Sequence, residues 1–240
     1  GQAALYRQVP IAYVWDDHDY GPNDGDSTSP SRPAARQVYR EVVPHAGVEP
    51  GDAPINQAFT IGRVRFVMTD NRSERIDDSM LGDRQREWLV DELTESSRTH
   101  ALVVWVNPVP WIVEPREGGD NWSGFAQERT VIADAIAQAG IDNLIMVSGD
   151  AHMLAFDDGT NTGYQRSGGP GFPLMHAAAL DRPARAVDDE RVLALDGDPF
   201  DEFLGSQSLQ PQGAEQSSSE VPADLEGQTP PLLLAPFREG

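Results

Sequence analysis

Asp16-Asp17-His18-Asp19-Tyr20 sets three carboxylates, an imidazole and a phenol in five consecutive positions. Carboxylates and a neutral imidazole held together are what a hard or borderline metal ion needs. Three further groups carry compatible chemistry: Asp70-Asn71-Arg72, Asn107 and Gly149-Asp150-Ala151-His152. The two-residue spacing of Asp150 and His152 lets both reach one cation, and Gly149 permits close backbone approach. The Asn107 amide oxygen suits a hard ion without adding charge. Arg72 offers a planar fork that donates two parallel hydrogen bonds to a phosphate. Each group also has a plainer reading. The first runs into Gly21-Pro22-Asn23-Asp24-Gly25 and would equally suit a solvated acidic turn. Gly149–His152 would serve as a tight turn, Asn107 as a turn closure before Pro108, and Arg72 as a solvated residue beside Arg75.

What separates these readings is the set of elements that must hold the residues. Apolar runs rich in β-branched and aromatic residues predict strands over 9–15, 57–61, 63–69, 101–107 and 143–148, with weaker ones at 152–156 and 172–177. Helices are predicted over 33–42, 84–96 and 125–139, the last with Ser123 as N-cap and Gly140 just past its end. Residues 57–70 read as a hairpin turning near Gly62-Arg63, and 101–147 as a βαβ unit. The runs 101–106 and 144–147 do not alternate, which predicts strands buried on both faces. All four chemical groups then stand at the C-terminal ends of predicted strands, where open α/β sheets bind ligands. Four such endings in register favour a metal site over four unrelated turns.

Composition sets the limits. Acidic residues outnumber basic ones 39 to 18, and every basic residue is Arg, for a formal charge of −21 over 240 residues. That argues against binding duplex nucleic acid or an anionic membrane surface, and an anionic substrate would need local positive charge, most simply a cation. The chain has no Cys, hence no disulfide framework and no thiolate ligand. No apolar run is long enough to predict a transmembrane segment. Periodicity fades after about residue 180, so residues 1–180 read as the core and 181–240 as an irregular, acidic, low-complexity tail.

With Trp15-Asp-Asp-His-Asp-Tyr-Gly21, Thr69-Asp-Asn-Arg-Ser73, Leu81-Gly-Asp-Arg-Gln-Arg-Glu-Trp-Leu89, Trp122-Ser-Gly-Phe-Ala-Gln-Glu-Arg129 and Ser148-Gly-Asp-Ala-His152 in this order, the chain resembles the PhoD-like alkaline phosphatase D family of calcineurin-like metallophosphatases. The resemblance implies an α/β (α+β) fold, a β-sandwich flanked by helices, with a multinuclear metal site at the strand ends. It implies hydrolysis of phosphomonoesters or phosphodiesters by a metal-bound hydroxide, with calcium and iron as metals and manganese, zinc or magnesium as alternatives. By position it makes Asp17, Asn107, Asp150 and His152 metal ligands. His18 assists the leaving group, Arg72 binds the phosphate, and Asp16, Asp19 and Tyr20 support the ligands from behind. It also implies an exported location: secreted, periplasmic or at the cell surface.

The family's Gly-Asp-x-x-Tyr-type metal motif, with a cysteine in iron-binding members, has no counterpart ahead of Asp16. The expectation is therefore an incomplete enzyme, or one part of an assembly that a separate N-terminal segment completes. The alternative from another class is a non-catalytic cation-binding or interaction fragment with an incomplete site.

Overall fold

Gly62 takes a left-handed backbone, φ 61°, and so folds Gln57–Ile61 (β1) back on Val64–Met68 (β2) as an antiparallel hairpin. The structure is a computed structural model that describes residues 7–177. Leu102–Asn107 (β3), Leu144–Ser148 (β4) and Leu174–His176 (β6) run parallel to β2, while Ala155–Asp157 (β5) pairs antiparallel with β6 at the far edge. The sheet order is β1-β2-β3-β4-β6-β5. The helices are Asp17–Tyr20 (α1), Arg32–Val42 (α2), Gly82–Thr99 (α3) and Ala126–Ala139 (α4). This is the expected mixed α/β architecture, and among the described residues it contains one sheet.

The hairpin and the βαβ unit form as their periodicity predicts. Helix α4 ends at Gly140 in the left-handed conformation, φ 64°, whose N–H reaches back to the Ala137 carbonyl. Its start differs from expectation: the helix begins at Ala126 after Phe125, and Ser123 makes no side-chain cap. Strand β5 begins at Ala155 rather than 152, because Asp150 and His152 both take positive φ (76° and 52°), which breaks an extended run.

Cross-strand register puts Val67, Trp105, Met146 and Leu174 on one face. There they join Leu89 and Leu93 of α3 and Ile132 and Ile136 of α4 in the main core. The opposite face carries Phe66, Val104, Val106, Ile145, Val147 and Met175 by the same register. It is as apolar as the first, yet Phe66, Val106, Ile145 and Val147 are only part-buried and Met175 is exposed. Burial of β3 and β4 on both faces is therefore only partly realised within residues 7–177.

The predicted strand 9–15 does not form. Val9, Ile11 and Tyr13 are exposed, and Pro10 has no N–H to give a ladder. Only its end is fixed. Trp15 enters a small second core with Tyr20, Tyr39, Val48 and Ile55, its ring 5.2 Å from that of Tyr39. The tail predicted over 181–240 lies outside the described residues.

Candidate active site

Because β2, β3 and β4 are parallel, their C-terminal ends deliver Asp70-Asn71-Arg72, Asn107 and Gly149-Asp150 to one end of the sheet. Asp70 anchors the first loop there. Its carboxylate accepts from the Trp15 indole (2.8 Å) and from the backbone N–H groups of Ile55 (3.0 Å), Arg72 (3.1 Å) and Ser73 (3.0 Å), and from the Ser73 hydroxyl. A single buried carboxylate thus replaces the missing strand pairing and sets Asp16 and Asp17 beside β2.

The single turn of α1 then distributes the Asp16–Tyr20 group around an axis. Asp17 is buried and accepts from the N–H groups of His18 (2.7 Å) and Asp24 (3.1 Å). His18 and Asp19 are exposed. Tyr20 points into the small core and donates to the Asp26 carbonyl at 2.8 Å. Asp16 is half-buried and receives Arg72 Nε at 2.6 Å. Burial raises the Asp16 carboxyl, with Arg72 opposing.

Oxygen atoms of Asp17, Asp24 and Asp120 all lie within 4.8 Å of one another. Calcium–oxygen distances are ~2.3–2.6 Å, so two ligands on one ion can stand about that far apart. The donor set is all carboxylate, which fits a hard cation, and iron would find no thiolate in a chain without Cys. A second feature fits as well: the Asn71 side-chain oxygen is fully buried and accepts no hydrogen bond at the same strand end. Asp150 belongs to this neighbourhood. Burial and the negative charges of Asp16, Asp120 and Asp17 push its carboxyl up to about 7 against the pull of Arg72.

The other expected residues are placed differently. The Asn107 oxygen is already engaged by Asn71 Nδ2 (2.7 Å) and Trp122 Nε1 (3.1 Å), and its Nδ2 donates to the Val109 carbonyl at 2.7 Å. His152 is exposed. Arg72 is fully buried, and Asp120 receives its two terminal nitrogens at 2.6 and 3.0 Å. Arg75, its guanidinium 4.9 Å from the Phe125 ring centre, also donates to Asp120. Burial alone would raise Asp120, but the two arginines outweigh it and hold its carboxyl below the ordinary range.

Residue spacing in the sequence does not mark Asp24 or Asp120. Asp24 sits in a turn at φ 58°, a backbone that Asp and Asn tolerate better than most residues. Asp120 follows Gly118-Gly119 in an irregular loop. Its one available signal is electrostatic: two arginines three residues apart at a strand end need a carboxylate if they are buried.

Fold and site together define a mixed α/β protein with a cluster of carboxylates, compatible with a cation, at the ends of parallel strands. More particularly, the family profile of the PhoD-like phosphatases matches residues 2–176, and the chain belongs to that family. A solved structure of PhoD superposes with a TM-score of 0.58 at 21% identity, over 69% of this chain and 39% of that one. The likeness is one of fold, and this chain spans well under half the length of that relative. No curated protein matches it.

Proposed function

We propose that the chain acts as a cation-dependent phosphoesterase on phosphomonoesters or phosphodiesters. The observation that carries this reading is the approach of Asp17, Asp24 and Asp120 within 4.8 Å at the strand ends of a PhoD-like phosphatase. Asp150 stands near enough for its carboxyl to feel the charges of Asp17 and Asp120. The cation is calcium or another hard divalent ion, with iron, manganese, zinc and magnesium to be compared. When bound, it would supply an acidified water and positive charge for the phosphate. Asp17 is held by two backbone N–H groups, which fix the direction in which its remaining lone pairs point. His18, exposed one residue on, is free to turn toward a departing oxygen and deliver a proton to it. Asn107 and His152 would join the ligands only if the Trp122 bond to Asn107 yields and His152 turns inward. Export to the cell surface or beyond belongs to the same proposal by family analogy, and no helix of the described residues is long and apolar enough to cross a membrane.

A second reading has its own support. The Asn107 oxygen is already hydrogen-bonded, and an apolar sheet face is only part-buried, as expected of a cation-binding unit that further polypeptide completes. The test is turnover of 4-nitrophenyl phosphate and bis(4-nitrophenyl) phosphate by chelator-stripped full chain, with calcium, iron or manganese restored. Restored turnover of either ester supports the enzyme. Calcium binding with neither ester hydrolysed selects the non-catalytic reading.

A further inference from the structure

We infer that Arg72 is a positioning residue that aims Asp120 at Asp17 and Asp24, and does not itself touch the substrate. The inference rests on the phosphoesterase reading and assigns one residue's part in it.

Burial is the first observation. The Arg72 side chain has no exposed surface, whereas a phosphate clamp must present donors to the pocket. Its donors are also committed: Nε to Asp16 at 2.6 Å, and the two terminal nitrogens to the two Asp120 oxygens at 2.6 and 3.0 Å. The fork geometry that would suit a phosphate is spent on Asp120. Its backbone is equally fixed, with Arg72 N–H on Asp70 at 3.1 Å and its carbonyl accepting from Arg75 N–H at 3.2 Å.

Asp120, by contrast, has no regular element to place it, since it lies in the loop between β3 and α4 just after two glycines. Arg72 and Arg75 are what locate its carboxylate, and they leave it within 4.8 Å of the Asp17 and Asp24 oxygens. Charge leads to the same assignment. Arg72, Arg75, Asp16 and Asp120 carry two charges of each sign, so the group presents no net positive field to an anion. Moving Arg72 onto a phosphate would leave Asp16 without its arginine and Asp120 with Arg75 alone, beside Asp17.

Two affinities of the full chain, stripped of metal, test this by calorimetry: that for calcium, and that for inorganic phosphate at saturating calcium. Partners that orient metal ligands typically change affinity ~10–100-fold when removed. Arg72→Lys keeps the charge but not the fork, and should weaken calcium about tenfold or more while leaving phosphate affinity unchanged. Asp120→Asn should do the same, and the double variant should be no weaker in calcium than the weaker single variant. Calcium affinity unchanged in Arg72→Lys, or phosphate weakened as strongly as calcium, overturns the inference. If Arg72→Lys does not fold, Asp120→Asn decides alone: tighter phosphate binding on release of Arg72 makes it a clamp and refutes the assignment. A wild-type chain that binds no calcium removes the phosphoesterase reading and this inference together. Wild-type binding with unresponsive variants removes the inference only.

Discussion

Asp150 offers the most quantitative check on the acidic pocket. Its carboxyl rises from the ordinary 3.8 to about 7, first through burial and then through Asp16, Asp120 and Asp17, with Arg72 pulling the other way. Between these two pH values the folded chain holds a proton that the unfolded chain has lost. Folding is then linked to proton uptake, and stability falls as pH rises through that window. Each tenfold change in proton affinity is worth ~1.4 kcal/mol, so a gap of this width corresponds to about 4 kcal/mol, or roughly 2–4 after solvent screening of a half-buried group. The assay is urea denaturation in chelator at steps from pH 4.5 to 8, for the wild type and Asp150→Asn. Asn keeps the shape, tolerates the φ of 76°, and cannot ionise. The wild type should lose about 2–4 kcal/mol relative to the variant as pH rises, then run parallel to it above pH 7. Calcium should flatten the wild-type slope, because a bound cation replaces the proton as partner of the carboxylates. Curves that stay parallel across the whole range would show that Asp150 does not share the pocket with Asp16, Asp17 and Asp120.

Other perturbations separate catalysis, packing and local geometry. If His18 protonates the leaving oxygen, His18→Ala should slow hydrolysis of an alkyl phosphate ~10²–10⁴-fold and that of 4-nitrophenyl phosphate much less. Equal losses on both substrates would deny it that role. Met146, fully buried under the helices, should cost ~2–5 kcal/mol on change to Ala, whereas exposed Met175 on the opposite face should cost under ~1. Comparable costs in urea melts would mean that the second face is covered as fully as the first. Gly140→Ala should lose ~1 kcal/mol through its left-handed φ, and Gly140→Asn should recover part of that loss; no difference between the two would show that the α4 terminus relaxes.

The sheet could be read from the sequence because its signals are local. Apolar runs such as Leu144–Val147 and the Gly62 turn contain their own instructions, as does Gly140 at the end of α4. The same rule failed at Val9–Trp15. Apolar content marks a segment that gains from burial, but a strand also needs a neighbour to take its N–H groups, and that neighbour is not a local property. The strand-end residues were found for a related reason: parallel strands bring their C-termini together, so position along the chain converts directly into position in the fold.

What residue types and spacing alone do not show is how the side chains at those strand ends divide their work. Asp16 through Tyr20 look like one ligand set in one dimension, yet a single helical turn sends Asp17 inward to the cluster, His18 outward, and Tyr20 into a separate core. Asp70, which reads as one more ligand at a strand end, is consumed by five donors and acts as the anchor for the loop. The carboxylates that do complete the cluster, Asp24 and Asp120, come from irregular loops whose course depends on the partners they meet. For Asp120 those partners are Arg72 and Arg75, so the position of the acid is determined by the buried bases. A buried guanidinium needs acceptors for its donors, supplied by backbone carbonyls at Arg129 and by carboxylates at Arg72, so each hidden Arg at a strand end asks for such acceptors within reach. Reading a site of this kind from sequence thus requires pairing its cations before assigning its anions, because an acid already holding an arginine meets a metal ion from a fixed direction.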